Sequence, residues 1–282
     1  MNPKPMLLGA AHACAHTFAL VCALATPAAA ETFVLVHGAF QTSADWRRTA
    51  DALSAAGDAV VAVDLPGRAG DGRVLKDVTM ADHVAAVTSA VEKAAAADPD
   101  GKVTLVGHSF GGLVISAAGE ADPARLSGLV YVAAYLPRTG TAPGDSLQDL
   151  AMADHHGAWQ QDSFEVDVEK GSAAVNPRDR AAIFANDADA PAAEAIAAAM
   201  VDEPLAPLAT PVALTAERFG TLRKAYVVTL RDEAVSTDLQ LTMLARAVVE
   251  EAVPLDTGHV PHVTAPLLLA DAIRRAASPE IE

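Results

Sequence analysis

Beyond residue 30 the sequence contains no cysteine; its two cysteines are Cys14 and Cys22. A chain processed near residue 30 has no disulfide and no thiol nucleophile, and its export does not depend on oxidative folding. Aromatic residues are scarce at 4%, so Ala, Val and Leu must fill the interior. Positive charge is short as well. Lys and Arg number 20 against 36 Asp and Glu, a net −16, and without Lys4 the balance is 19 against 36, or −17. So acidic a surface argues against nucleic acid and anionic membranes as partners. A metal-ligand set is missing too. His155 and His156 are adjacent and point apart, and no Cys or clustered acid completes a site, so neither metal nor cofactor is expected. What is present is 282 residues with 51% hydrophobic content, ample for one sizeable α/β core plus an insertion.

The first thirty residues read as a secretory signal. Lys4 supplies a positive start, Leu7 to Ala25 is mostly apolar despite His12 and His16, and Pro27-Ala28-Ala29-Ala30 offers an A-x-A cleavage site before Glu31. No stop-transfer pattern follows, and no lipoprotein box precedes either cysteine. The expectation is a cleaved leader and a periplasmic or secreted product, free of the membrane after cleavage.

From residue 31 strand and helix patterns alternate. Apolar strand patterns cover 31–36, 59–63, the run ending at His108, and 126–134. Helical spacing covers 42–57 and 80–97, and the latter leaves His83 as a helix-surface residue. No hairpin signals intervene, so a mostly parallel sheet flanked by helices is expected, with strand C-termini along one edge. The rhythm breaks at Pro137. Residues 137–205 are rich in Ala, Asp and Pro, with short helical patches and no convincing strand, and read as a mainly helical cap. Its apolar anchors are Leu147, Leu150, Met152, Trp159, Phe164, Ile183 and Phe184. Strand 224–230, helix 239–249, strand 252–255 and helix 266–277 then follow. The expected division is a signal at 1–30, core at 31–136, cap at 137–205 and core at 206–282.

The chain is organised around Val103 to Ile115, where an apolar run ends in Gly107-His108-Ser109-Phe110-Gly111 and a helical stretch begins. This G-x-S-x-G arrangement sits between a buried strand and a helix, the context its mechanism needs. The turn must lift the Ser109 hydroxyl clear of the sheet, straining Ser109 and bringing Gly107 and Gly111 together. A serine hydroxyl is a poor nucleophile and needs a base within reach. With this elbow the partners follow in the order Ser, acid, His. Only His259 and His262 follow the candidate acid, and His259 lies in a D-x-G-H loop directly after the last strand. His262, beside Pro261, reads as a structural turn. Asp232 follows the strand 224–230, at the edge where Ser109 emerges, and the neighbouring Glu233 is too long to replace it. The backbone N–H groups of Phe110 and Ala39 are the natural oxyanion donors. His37 buttresses the oxyanion loop and His108 packs beside the elbow. Phe40, His108 and Trp159 are candidates to line a substrate pocket.

These residues resemble the α/β-hydrolase family, and within it the group of plant hydroxynitrile lyases, plant methyl esterases and related bacterial esterases. The stretches that carry the likeness are F-V-L-V-H-G-A, V-x-A-V-D-L, L-V-G-H-S-F-G-G, Y-V-V-T-L-R-D-E and the closing G-H. The resemblance implies a triad of Ser109, Asp232 and His259, with Ala39 and Phe110 as oxyanion donors. It departs from the lyases in two places. They carry Thr after the first-strand His and Lys after the catalytic His, where this chain has Gly38 and Val260. Without that lysine no cation is in place for departing cyanide, so a cofactor-free ester hydrolase acting on a small molecule is expected. A lyase, an amidase or lactonase on the same triad, and a catalytically silent ligand-binding protein are the alternatives. Acyl preference and oligomeric state leave no trace in the sequence.

Overall fold

The run Phe33–Val36 is apolar at every position because both faces of the strand it belongs to are covered. The computed structural model describes residues 30–68, 70–98, 100–140, 145–151 and 163–278. Its strands are β1 (Thr32–Val36), β2 (Ala59–Val63), β3 (Val103–His108), β4 (Leu126–Val132), three short cap strands β5 (Phe164–Asp167), β6 (Ser172–Val175) and β7 (Glu203–Pro204), then β8 (Lys224–Thr229) and β9 (Glu251–Leu255). Six of these make one sheet in the order β2-β1-β3-β4-β8-β9, every pairing parallel. It is the α/β-hydrolase architecture.

Alternation along β1 separates two apolar layers. Val34 and Val36 pack with Val87, Val91, Leu113 and Ile115 from the helices α2 (Met80–Ala97) and α3 (Gly111–Ala121). Phe33 and Leu35 pack on the other face with Trp46, with Leu53 of α1 (Arg47–Ala55), and with Leu269 and Ile273 of the closing helix Pro266–Ala277. Each such side chain contributes about 1.5–3 kcal/mol by leaving water. The chain crosses from β1 outward to β2 and then returns to set β3 on the other side of β1. That reversal opens a crevice at the C-terminal ends of β1 and β3, where α/β sheets place their ligands.

Two expectations need correction. His83 is not on the surface: it is fully buried, its ring edge-on to Phe110 with centroids 6.0 Å apart. It occupies the same stripe of α2 as Met80, Val87 and Val91, and its Nε2–H donates to the Pro66 carbonyl at 3.0 Å. The cap is also not free of strands. β5, β6 and β7 form a small antiparallel sheet in that order, beside short helices at Leu147–Ala151, Arg180–Phe184, Ala190–Ala199 and Leu205–Ala209. The strands are too short for alternation to stand out from an Ala-rich background. Met152 and Trp159 lie outside the described residues.

Candidate active site

Ser109 stands between β3 and α3 with φ +51°. Left-handed backbone costs a non-glycine residue on the order of 1–3 kcal/mol, so something must hold it. Its N–H donates to the Val132 carbonyl at 3.2 Å, and its carbonyl accepts from Gly112 N–H at 3.0 Å and Tyr135 N–H at 3.1 Å. The two glycines of the motif meet across the turn as expected. A β-carbon on Gly107 would lie 2.7 Å from the Gly111 carbonyl oxygen, and one on Gly111 would lie 2.7 Å from that of His37.

Asp232 and His259 come together from the loops after β8 and β9. His259 Nδ1–H donates to Asp232 Oδ2 at 2.9 Å, with both side chains almost fully buried. Asp232 Oδ2 also accepts from Thr229 Oγ1 at 2.8 Å and Gln240 Nε2 at 3.3 Å, while Oδ1 accepts from Ala234 N–H at 2.8 Å and Val235 N–H at 2.9 Å. This orients the carboxylate and fixes the histidine tautomer, leaving Nε2 with its lone pair. That Nε2 is buried and, among the described residues, has no hydrogen-bond partner. Its pairing with a serine hydroxyl is the kind of contact that tightens when substrate binds. Glu233, next to Asp232, is exposed.

The loop after β1 is held at each peptide. His37 Nδ1–H donates to the Gly38 carbonyl at 2.8 Å, and its Nε2 accepts from Leu65 N–H at 3.1 Å. The ring is therefore neutral, in keeping with a pKa that burial drives well below the usual value. Gly38 N–H donates to Gln41 Oε1 at 3.0 Å and Phe40 N–H to Glu203 Oε2 at 2.8 Å. The Ala39 N–H lies between these two anchored groups. Phe110 N–H lies at the start of α3, where backbone donors lack helical acceptors and favour negative charge. The two expected oxyanion donors thus come from neighbouring strands at the switch point.

The histidines around the elbow are structural. His108 is 1% exposed, with Nδ1 2.8 Å from Gln41 Oε1 and Nε2 2.8 Å from the His259 carbonyl oxygen. Burial and then the rings of His262 and His259 push its pKa well down. The neutral ring donates to one of the two oxygens at a time. Its nitrogens are taken up by these loops rather than open to substrate, which corrects its placement in the pocket. His262 accepts from Gln41 Nε2 at 3.1 Å and packs on Trp46.

Phe40 does face the cap. Its ring stacks on Phe164 at 5.6 Å and meets Phe184 edge-on at 6.2 Å, and Phe184 in turn lies edge-on to His259 at 5.4 Å. Phe184 was legible only as a cap anchor. Other contributors escaped the sequence reading: Gln41, Arg68, Glu203, Gln240, and the pair Asn186 and Asp187. Asn186 Nδ2 donates to the Arg231 carbonyl at 2.7 Å, and Asp187 Oδ2 accepts from Gly258 N–H at 2.7 Å. The cap thus grips the acid loop and the histidine loop together. Trp159, His155 and His156 lie outside the described residues. Among the described residues, no group of three His, Cys, Asp or Glu is placed to hold a metal, and no helix is long and apolar enough to cross a membrane.

Several known proteins are similar to this chain over most of its length. The model of the "Alpha/beta hydrolase family" matches residues 33–272. "Methylesterase 7" of Arabidopsis thaliana is 28% identical over 239 residues, which span 83% of this chain and 91% of that protein. "Methyl jasmonate esterase 1" of Vitis vinifera is 28% identical over 246 residues, 83% of this chain and 92% of the other. Among solved structures, that of polyneuridine aldehyde esterase superposes with a TM-score of 0.76 at 22% identity, covering 89% of this chain and 100% of that one.

Proposed function

The chain belongs to the alpha/beta hydrolase family, and within it we propose that it is an exported serine esterase that cleaves small carboxylic esters through an acyl-enzyme. The observation that carries this reading is the buried His259–Asp232 bond of 2.9 Å, which leaves Nε2 unpartnered among the described residues at the sheet edge where Ser109 is held in its strained turn. Esterase relatives spanning most of the chain support it.

In this mechanism His259 Nε2 takes the Ser109 proton as Oγ attacks the ester carbonyl. The developing oxyanion accepts from the Ala39 and Phe110 N–H groups. His259, held by Asp232, returns the proton to the leaving alcohol, and water cleaves the acyl-enzyme by the same steps. Phe40, Phe164 and Phe184 offer the acyl or alcohol group an apolar wall. The leader-like sequence of residues 1–30 supports action outside the cytoplasm, in the periplasm or medium. Two features favour hydrolysis over cyanohydrin cleavage. Gly38 has no room for the threonine side chain that the lyases carry, and the buried Val260 stands where they have lysine.

The test is hydrolysis of short-chain p-nitrophenyl esters and simple methyl esters by the protein lacking residues 1–30, beside Ser109→Ala. Turnover is expected from the parent and a loss of at least about a thousandfold from the variant. Equal rates would refute the elbow assignment. Cyanide release from mandelonitrile without ester turnover would replace hydrolysis by lyase chemistry, and failure of Ser109 to react with a fluorophosphonate would make the protein a silent binder.

A further inference from the structure

One buried ion pair ties the cap to the oxyanion loop, and the ester chemistry above makes no use of it. Glu203, on the two-residue strand β7, is fully buried, and Arg68 is 5% exposed. Glu203 Oε2 accepts from Arg68 Nη2 at 2.7 Å and from Phe40 N–H at 2.8 Å. Arg68 Nε donates to the Gln41 carbonyl at 2.6 Å, and Val201 N–H, two residues before Glu203, donates to the Phe40 carbonyl at 3.0 Å. Cap and ion pair thus hold Phe40 at both its N–H and its carbonyl, and Phe40 has φ +63°. A bulky side chain does not adopt that backbone unless its surroundings impose it.

The cost of burial makes the pair informative. Desolvation pushes the Glu203 pKa up, and Arg68 and the Phe40 N–H oppose that shift. Removing two charges from water offsets most of their attraction, so a packed apolar pair gives a fold similar stability. What an apolar pair lacks is an acceptor for the Phe40 N–H. With Gly38 N–H already given to Gln41 and the Gly38 carbonyl to His37, that acceptor fixes the peptide on the other side of Ala39, the one that carries the Phe40 N–H.

We propose that Glu203, supported by Arg68, is a positioning residue for the oxyanion hole: docking of the cap strand β7 locks Phe40 in its left-handed conformation and so aims the Ala39 N–H. The hole is then complete only when the cap is seated. The kinetic consequence rests on the esterase reading; the ordering of the loop does not.

Two variants and two measurements test this. Glu203→Gln removes the charge, and Arg68→Met with Glu203→Met removes the ion pair while keeping the volume apolar, which protects the fold. For each, kcat and KM are measured on p-nitrophenyl acetate, and hydrogen exchange of the 37–41 segment is followed by mass spectrometry in the resting protein. Deleting an oxyanion donor outright costs about a hundredfold to a thousandfold. In the double variant, misaiming one should lower kcat by at least about tenfold with KM within about twofold, since the contact is made in the transition state, whereas Glu203→Gln, whose amide oxygen still accepts from the Phe40 N–H, should lower it less. Exchange in 37–41 should quicken at least about tenfold while β3 stays protected. A folded double variant with parental kcat and parental protection at 37–41 overturns the proposal. So does a loss of activity that disappears when rates are expressed per folded molecule. If the parent hydrolyses no ester, the esterase reading falls and the exchange arm decides alone: quickened exchange at 37–41 upholds the positioning role, and unchanged exchange overturns it.

Discussion

A β-carbon on Gly38 would stand 2.8 Å from the β-carbon of Ser109. It would also meet His108 Nδ1 at 2.9 Å and Gln41 Oε1 at 3.0 Å, two atoms already bonded to each other. None of the three can retreat without loosening the elbow or the oxyanion loop. Gly38→Ala is therefore expected to cost about 1–3 kcal/mol of stability, the usual range for overpacking, and to lower kcat on p-nitrophenyl acetate at least about tenfold. Gly38→Thr combined with Val260→Lys, which installs both lyase residues, should yield a less stable protein that releases no cyanide. Parental turnover and Tm in Gly38→Ala would contradict the packing.

Asp232→Asn tests the acid. The carboxylate accepts donors at both oxygens, so an amide NH2 must oppose either His259 and its neighbours or the two backbone N–H groups. Either choice spoils the His259 tautomer or the turn that carries it. The expected outcome is a fall in kcat of about a thousandfold to ten-thousandfold, as for an acid that only orients the histidine, with KM little changed. Steady-state kinetics on a folded variant decide it, and a loss under tenfold would remove Asp232 from the triad.

The parts that were legible in the sequence are those with local causes. β1 shows as an unbroken apolar run because both its faces are covered, and the elbow shows because its glycines must sit within two residues of Ser109. Asp232 and His259 were reachable by chain order once Ser109 was in hand. Glu203 was not: its partners Phe40 and Arg68 are 163 and 135 residues away along the chain, and a lone Glu in an Ala- and Pro-rich stretch looks solvated. His83 left a local trace, since it shares the stripe of Met80 and Val87. Its acceptor, the Pro66 carbonyl, belongs to a loop that helical spacing does not describe.

The half-buried Asp187 couples the cap to the histidine loop. Its Oδ2 accepts from Gly258 N–H at 2.7 Å and Thr264 Oγ1 at 3.3 Å, next to His259. Asp187→Ala leaves the Gly258 N–H without its charged acceptor, which should cost about 1.5–3 kcal/mol. Because the loop then wanders, kcat should fall about tenfold. Asn186→Ala, which loses a neutral bond to the Arg231 carbonyl, should show the smaller effect of the two. Urea unfolding and kcat on the pair check this order, and a reversed order would place the important contact on the acid loop instead.

Acid should destabilise this protein from neutral pH downward, above the usual carboxylate range. His37, His83, His108 and His262 are all buried, and burial lowers each pKa, to about 4 for His83 and about 3 for His262. In the unfolded chain each titrates near about 6.5. Below that pH the unfolded state takes up protons that the folded state refuses, so stability is full above about 6.5 and falls as pH falls toward the folded values. Each histidine contributes up to about 1.4 kcal/mol per pH unit, so His83 and His262 together remove about 4 kcal/mol between pH 7 and 5. The raised pKa of Glu203 and the relief of excess negative charge act in the opposite sense and offset part of this. The urea midpoint should accordingly drop steadily from pH 7 to 5. His83→Gln keeps a donor for the Pro66 carbonyl and removes one titrating group, so its profile should be shallower by up to one proton. A midpoint independent of pH across that window would mean that these rings take up protons in the folded state.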